Sequence, residues 1–556
     1  MNNTKVGSSG TPQVNQPLAP QETNASTSSE QVKTQQSQQE SSPPKLSEQN
    51  KSQLKNEQHI TGAMKQAAIQ GEFSKQQGTP KQKNEQSAVD KRPQIVLTAE
   101  GKFNLIRPAP QLENLILRGG GAKGIGNPPA LIEMEKQGKL DGLKHIVGTS
   151  AGALTAMCLA SGHSANDLQE VSDNTKMTEL LKTPKGFEDR YPTLQFGKIG
   201  ADGGRAVEIA DHTSASKVSN YLQDQWSKPE FKEKLDRLVS SENERSPGAG
   251  DKARQRLGFL QTQNFDGNRT NQMITFNDLR LLHQLEPGKF RELTLTGWDE
   301  KNNKSTYFNA ADYPNMPIAV AGRISMAIPP AFASVKYDPG DGEGERHFAD
   351  GGIGTNMPSE VVTRSKAGDP ESELTGRQRE NVLVKTGIMT FDQGGSESPD
   401  KLDGAYKQMH GSDKENNLTT GVGNRMRNAL VGLLAGNKDI GVVNQKDQQK
   451  IAESAANCFV IAHGDLGTFS LTAGDQRVND AKESARQLIR EQLKQRDNQA
   501  YAQEFSSINE IFKELTPQDK QALLNGPAPD PAKYAKGATD PVFMAELELY
   551  NKVRSS

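Results

Sequence analysis

Gly148-Thr149-Ser150-Ala151-Gly152 lies between the apolar run His145-Ile146-Val147 and the small-residue segment from Ala153 to Met157. The pattern reads as a strand, a tight turn with serine at its apex, and a buried helix. Glycines on either side leave room for a strained turn that pushes the serine oxygen clear of the backbone. A helix starting at Ser150 aims its free N–H groups and the positive end of its dipole at an anion forming there. The chain is therefore constrained to a strand-turn-helix unit at a sheet edge, and acyl transfer is the first chemistry it suggests.

A second glycine cluster lies upstream, Arg118-Gly119-Gly120-Gly121-Ala122-Lys123-Gly124, directly after Leu115-Ile116-Leu117, which reads as a strand. Consecutive glycines let bare N–H groups converge on one point, as an oxyanion hole requires, and Gly119, Gly120, Gly121 and Ala122 are the candidates. Between the clusters a short helix is expected, with Pro128 and Pro129 in its first turn, Leu131 and Met134 at i, i+3, and Gly138 as the stop. Because both loops follow parallel strands, they should meet at one edge of the sheet.

The third segment is Arg346-His347-Phe348-Ala349-Asp350-Gly351-Gly352, followed by Asn356-Met357-Pro358. A short strand delivers Asp350 into a glycine turn. A serine hydroxyl is a poor nucleophile until a base takes its proton, and a carboxylate within hydrogen-bond reach can do so. Partial burial raises the carboxyl pKa and strengthens the base.

Together these motifs resemble the patatin-like phospholipases, relatives of the cytosolic phospholipases A2, with the pattern G-G-G-x-[KR]-G, G-x-S-x-G and D-G-[GA]. Gly119, Gly120, Gly121, Lys123 and Gly124 match the first, Gly148, Ser150 and Gly152 the second, and Asp350, Gly351 and Gly352 the third. Further likeness lies in Ile274 to Leu279, Ala321 to Pro329 and Asn356 to Pro358, so the resemblance covers residues 110–495. It implies an α/β, patatin-like three-layer fold with a mostly parallel central sheet. It also implies a Ser-Asp dyad in which Ser150 attacks a glycerolipid ester and Asp350 is the base, with Arg118 among the supporting residues.

Other readings fit less of the chain. Gly119-x-Gly121-x-x-Gly124 after a strand also matches the dinucleotide fingerprint, but Gly148-Thr149-Ser150 stands where an acidic residue would end the next strand. A P-loop fails because Ile125 follows Gly124. A Ser-His-Asp esterase has the chain order Ser, acid, His, and His463 after Cys458-Phe459-Val460-Ile461-Ala462 lies in that order; an ordinary loop histidine is the simpler reading, as Asp350 already fits a dyad. His145 and His347 read as structural. A catalytically idle module that recognises lipid or a host protein has no need for both Ser150 and Asp350.

Of the 556 residues, 1–93 are rich in Ser, Gln, Asn, Thr and Lys and cannot bury enough apolar surface to offset their conformational entropy. That segment is expected to be disordered. No apolar h-region opens the chain, so a cleaved secretory signal is not expected. No run approaches the ~18 apolar residues of a membrane span, and a soluble protein is expected. Cys158 and Cys458, the only cysteines, sit in apolar segments as buried free thiols rather than a disulfide framework. With net charge −2 and no basic stripe, nucleic acid is not indicated. No metal is expected either: Asp338, Asp341, Glu343 and Glu345 lack EF-hand spacing and read as a solvated loop.

The catalytic domain is expected at 110–497, with a lid-like insertion at about 161–290 and a flexible loop at about 392–425. Within the insertion, Gln169 to Leu181 and Ala215 to Val239 read as amphipathic helices and Ser240 to Gly250 as a mobile loop. Leu293 to Gly297, Ser305 to Asn309, Asn381 to Thr386 and Cys458 to Ile461 read as strands. Ala327 to Phe332, apolar and stiffened by proline, is placed at the acyl-chain mouth. A basic helix is expected near 478–497. Region 498–556 is expected to be small and helical, Phe505, Ile508, Ile511, Phe512 and Leu515 forming one packed apolar face.

A polar N-terminus joined to such a domain resembles the bacterial type III-secreted cytotoxins typified by exoenzyme U. That resemblance implies a secretion signal and chaperone site in the N-terminal segment. It also implies delivery to the host cytoplasm, action on membrane phospholipids, and activation by ubiquitin or a ubiquitinated host protein. The membrane-binding C-terminal module of that family is much larger than the corresponding region here.

Overall fold

The computed structural model describes residues 92–262, 272–329, 331–391, 457–463, 466–467, 470–471, 473–497 and 500–556. The segment read as disordered and the loop at 392–425 lie outside these, apart from residues 92 and 93. In chain order the elements begin with β1 (Gln94–Leu97), β2 (Phe103–Pro108), β3 (Asn114–Leu117), α1 (Asn127–Lys136), β4 (His145–Gly148), α2 (Ala151–Ala160) and α3 (Ala165–Asn174). A 3-10 turn at Met177–Leu181 and β5 (Gln195–Phe196) lead to α4 (Gly204–Gln225), α5 (Pro229–Arg245), α6 (Ala249–Gln261) and α7 (Phe276–Leu285). Next come β6 (Glu292–Asp299), β7 (Lys304–Phe308), α8 (Ile318–Ser325), β8 (Val335–Tyr337), β9 (Arg346–Asp350), α9 (Gly376–Val384) and β10 (Thr386–Phe391). The chain ends with β11 (Cys458–Ile461), α10 (Asp475–Asp497), β12 (Ala500–Phe505), α11 (Ile508–Glu514), α12 (Pro517–Asn525) and α13 (Pro541–Arg554).

The central sheet has the order β11-β10-β3-β4-β6-β9-β8-β5, with β7 paired to the overhang of β6. From β11 to β6 the pairs are parallel. From β6 outward they are antiparallel. The sheet is thus mixed, its parallel run confined to the five strands that include both glycine loops.

Strand residues alternate between two cores, as the period of two requires. Leu115, Leu117, Ile146 and Met389 face a large core shared with α1, α2, α4 and α7. Ile116, Val147 and Ile388 face a thinner layer closed by Met357 and Val362. These are the three layers of an α/β fold. A second sheet, β1-β2-β12, joins residues from both ends of the described chain. Its Ile95, Leu105 and Phe505 pack with Ile508, Ile511 and Leu549 of the C-terminal helices. The sequence reading assigned no structure to β1 and β2 and expected helix alone after 498; β12 is a strand because β2 offers it an antiparallel partner along its whole length.

Four expectations fail for identifiable reasons. Ala215 to Val239 is two helices, because Pro229 opens α5 and cannot continue α4. Ser240 to Gly250 is mostly helix: α5 runs to Arg245, and in its last turn buried Glu242 accepts from Arg280 Nη1 and Nη2, at 2.6 and 2.8 Å. Val382-Leu383-Val384 ends α9 rather than forming a strand, and parallel pairing with β3 starts only at Thr386; a short apolar run does not distinguish the two by itself. Likewise Gln169 to Leu181 is the second half of α3 and the 3-10 turn, α3 starting earlier at a Ser164–Asp167 capping box.

Candidate active site

At Ser150 the chain leaves β4 and enters α2 with φ 53° and ψ −123°. This is a left-handed backbone region that costs a non-glycine residue about 1–3 kcal/mol. Surrounding contacts hold it there. Ser150 N–H donates to Ser325 Oγ at 2.9 Å, Thr149 N–H to Leu117 O at 3.1 Å, and Thr296 Oγ1 to Thr149 Oγ1 at 2.9 Å. Gly152 allows α2 to cross β3 closely, since a Cβ there would collide with the Leu117 carbonyl oxygen.

Asp350 arrives from the opposite direction. β6 extends past the level where β4 ends, and antiparallel β9 runs back along this overhang until Asp350 lies beside Gly297. The result is a hydrogen bond from Ser150 Oγ to Asp350 Oδ2 of 2.7 Å. The other carboxyl oxygen accepts from Gly352 N–H at 2.7 Å. Ser150 is 6 % exposed and Asp350 1 %. Burial pushes the Asp350 carboxyl up to about 7, against the opposing pull of the Ser150 hydroxyl, the Gly352 N–H and the Arg323 charge. A carboxylate with that proton affinity, bonded to a serine hydroxyl, can take its proton near neutral pH.

The first glycine cluster lies against this pair. A Cβ on Gly119 would sit 3.0 Å from Ser150 Cβ and 2.6 Å from Asn356 Oδ1, so only glycine lets the loop come this near. Gly121 and Ala122 open a 3-10 turn over Gly121–Gly126, and the N–H groups that start such a turn have no partner within it. Gly124 packs on Ala151, and Asn356 Oδ1 also lies beside Gly352, bridging the glycine loop to the Asp350 turn. The remaining motif residues shape the backbone. Gly120 lies against Phe391 and its carbonyl accepts from the N–H of buried Lys123; Gly148 abuts α2, and Gly351 abuts Thr296. The Arg118 N–H donates to Met389 O, tying the loop to β10.

An apolar cavity of about 190 Å³ opens beside Ser150. It exceeds the roughly 150 Å³ of an apolar cavity that takes up benzene. Leu154 and Cys158 of α2, Leu168 of α3, Leu180 of the 3-10 turn and Ala210 of α4 line it. Met326, Ile328, Ala331 and Phe332 line it as well, so the segment read as a mouth lies at its wall. Cys158 is a free thiol that burial pushes up to about 12. A larger open groove of about 940 Å³ lies between α5, α6 and α7, walled by the Glu242–Arg280 and Asp278–Arg256 pairs.

No histidine stands between Ser150 and Asp350. His463 is buried at the end of β11, with β10 and β3 between that strand and β4. His145 bonds Thr294 Oγ1 at 2.9 Å, and burial lowers it to about 4. His347 bonds Ser334 Oγ at 3.2 Å. Among the described residues no group of three or more His, Cys, Asp or Glu is placed to hold a metal. In the acidic loop Asp341 pairs with Arg346 and Glu345 with Lys336. Of the residues around the pair, Ser325 and Asn356 had no role in the sequence reading. Both lie in stretches of family likeness, but no spacing rule links either of them to Ser150.

Residues 115–363, from the β3 strand to just past the Asp350 turn, match the family model described as patatin-like phospholipase. The chain carries a patatin-like phospholipase domain. Its patatin fold is of the mixed α/β kind with a central sheet, and the domain is that of a lipid hydrolase. The chain is similar to VipD from Legionella pneumophila, at 19 % identity over 85 % of this chain and 79 % of that one, with a TM-score of 0.43. ExoU in its heterodimeric complex with SpcU, from the type III secretion system of Pseudomonas aeruginosa, is 17 % identical over 86 % of this chain and 67 % of that one, TM-score 0.43. Human GIVD cytosolic phospholipase A2 is 11 % identical over 82 % and 65 %, TM-score 0.24. A comparison with curated protein sequences returns no match. Among the described residues no helix is long and apolar enough to cross a membrane.

Proposed function

We propose that the chain is a phospholipase A or lysophospholipase working through a Ser150–Asp350 dyad. The observation that supports this most is the 2.7 Å bond from Ser150 Oγ to Asp350 Oδ2 beside an apolar cavity. Asp350 takes the Ser150 proton as Oγ attacks the ester carbonyl. The N–H groups of Gly119, Gly120, Gly121 and Ala122, with the positive end of α2, receive the charge that develops on the carbonyl oxygen. Collapse breaks the ester bond, and the departing alcohol takes the proton from Asp350. Water then attacks the acyl-serine as Asp350 again accepts a proton; the acyl–Oγ bond breaks, Ser150 Oγ takes that proton back from Asp350, and fatty acid leaves. The mechanism assigns no step to a metal.

The acyl chain enters the cavity walled by the 161–290 insertion, which serves as the lid. The polar N-terminal segment carries a secretion signal and a chaperone site, and the enzyme acts on host membrane phospholipid after a host factor, ubiquitin or a ubiquitinated protein, orders the lid. Mass spectrometry of phospholipid vesicles treated with the wild type and Ser150→Ala tests this, with and without ubiquitin or a eukaryotic cell extract. Fatty acid released by the wild type alone supports the dyad, and release that grows with the added factor supports activation. Vesicle binding without release would leave a lipid-recognition module instead.

A further inference from the structure

A buried guanidinium joins the nucleophile to the cavity wall. Arg323, near the end of α8, is 1 % exposed. Its Nε donates to Asp202 O at 2.8 Å, and its Nη2 to Ala333 O at 2.9 Å and Ala201 O at 3.2 Å. Its guanidinium carbon lies 5.2 Å from the ring centre of Phe196 and 5.1 Å from that of Phe332. A buried charge is normally matched by an opposite one. Here carbonyl oxygens and ring faces surround it, with the Asp202 and Asp350 carboxyls near enough to act on its charge. The 201–203 turn and the Phe332–Ala333 stretch border the cavity, whereas Phe196 does not line it.

The 201–203 turn starts α4, whose Ala206, Ile209 and Ala210 line the cavity, and Phe332 lines it from the other side. The packing is tight: a Cβ on Gly203 would fall 2.9 Å from the Phe332 ring and 3.0 Å from Arg323 Nε. Two residues along, Ser325 Oγ accepts the Ser150 N–H. One stretch of α8 therefore grips the cavity wall and the nucleophile's backbone together.

We propose that Arg323 is a positioning residue that latches the start of α4 and Phe332 onto α8, fixing the width of the acyl cavity beside Ser150. The inference rests on the dyad reading above. A short acyl group needs Ser150 and the glycine loop but little of the cavity, whereas a long chain needs the walls in register. Loss of the latch should therefore be felt chiefly by long chains.

The test uses the full-length protein as wild type, Arg323→Met, Arg323→Lys and Phe196→Leu, the last removing one ring that does not line the cavity. Hydrolysis of p-nitrophenyl palmitate in mixed micelles is compared with that of p-nitrophenyl butyrate, and amide hydrogen exchange is read over 197–213 and 145–150. In Arg323→Met the palmitate-to-butyrate ratio of kcat/KM is expected to fall at least tenfold, through KM. Arg323→Lys should recover part of it, and Phe196→Leu should lose about threefold. Exchange over 197–213 should quicken while that over 145–150 stays the same. Equal loss on both esters, or unchanged exchange over 197–213, would overturn the proposal. Should Arg323→Met fail to fold, the other two variants decide by the same criteria. If Ser150→Ala hydrolyses both esters like the wild type, the dyad reading falls, and the exchange data alone decide the latch.

Discussion

Asp350→Asn should cut hydrolysis severely and yet make the protein more stable at alkaline pH. The carboxyl is 1 % exposed, and burial moves it from an ordinary 3.8 to about 7. Between those values the unfolded chain has released a proton that the folded chain still holds, so stability falls as pH rises through this window. Each pH unit of that interval is worth about 1.36 kcal/mol, so above pH 8 the ionised carboxylate costs the fold about 4 kcal/mol. Asparagine stays neutral and keeps both contacts, its Oδ1 accepting from Gly352 N–H and its Nδ2 donating to Ser150 Oγ. Urea unfolding of both proteins at pH 5 and pH 8 measures the gap. It should widen in favour of Asp350→Asn by about 2–3 kcal/mol between the two, while hydrolysis falls by about 10²–10⁴. A gap that is the same at both pH values, or a variant less stable at pH 8, would refute the assignment of a buried, reluctant carboxylate.

Ser325→Ala leaves the Ser150 N–H without its acceptor; steady-state assays should show kcat down about tenfold, and denaturation should show a loss of about 1–3 kcal/mol. Ala210→Phe fills the cavity from α4, and competition between acyl esters of graded length should show the preference moving toward shorter chains. Glu242→Ala strands Arg280 in a pair that is only partly open to solvent, and a loss of about 2–3 kcal/mol is expected in unfolding experiments.

Much of the site was legible because its parts are local. Gly148, Ser150 and Gly152 encode a turn that any strand-turn-helix unit would use, and Gly119 to Gly124 encode a loop with no side chains in the way. Asp350 was legible as a carboxylate in a glycine turn, but its approach was not: β9 is antiparallel, and it reaches Ser150 only because β6 outruns β4. The role of Ser325 was hidden because its bond to Ser150 spans 175 positions and leaves no local periodicity. The loop expected at Ser240 to Gly250 shows the same limit, for the polar residue that holds it helical, Glu242, has its partner on α7. β1 and β2 pair with each other, but the sheet and core that hold them are completed by β12 and the C-terminal helices at the far end of the chain, which no local pattern shows.

The pH dependence of covalent labelling by an alkyl fluorophosphonate, followed by peptide mass spectrometry, tests the Ser150–Asp350 pair most directly. The label should fall on Ser150, at a rate rising through pH of about 7. It should be lost at least about a hundredfold in Asp350→Ala and retained in His463→Ala. Labelling that persists in Asp350→Ala, or that disappears in His463→Ala, would contradict a serine activated by that carboxylate.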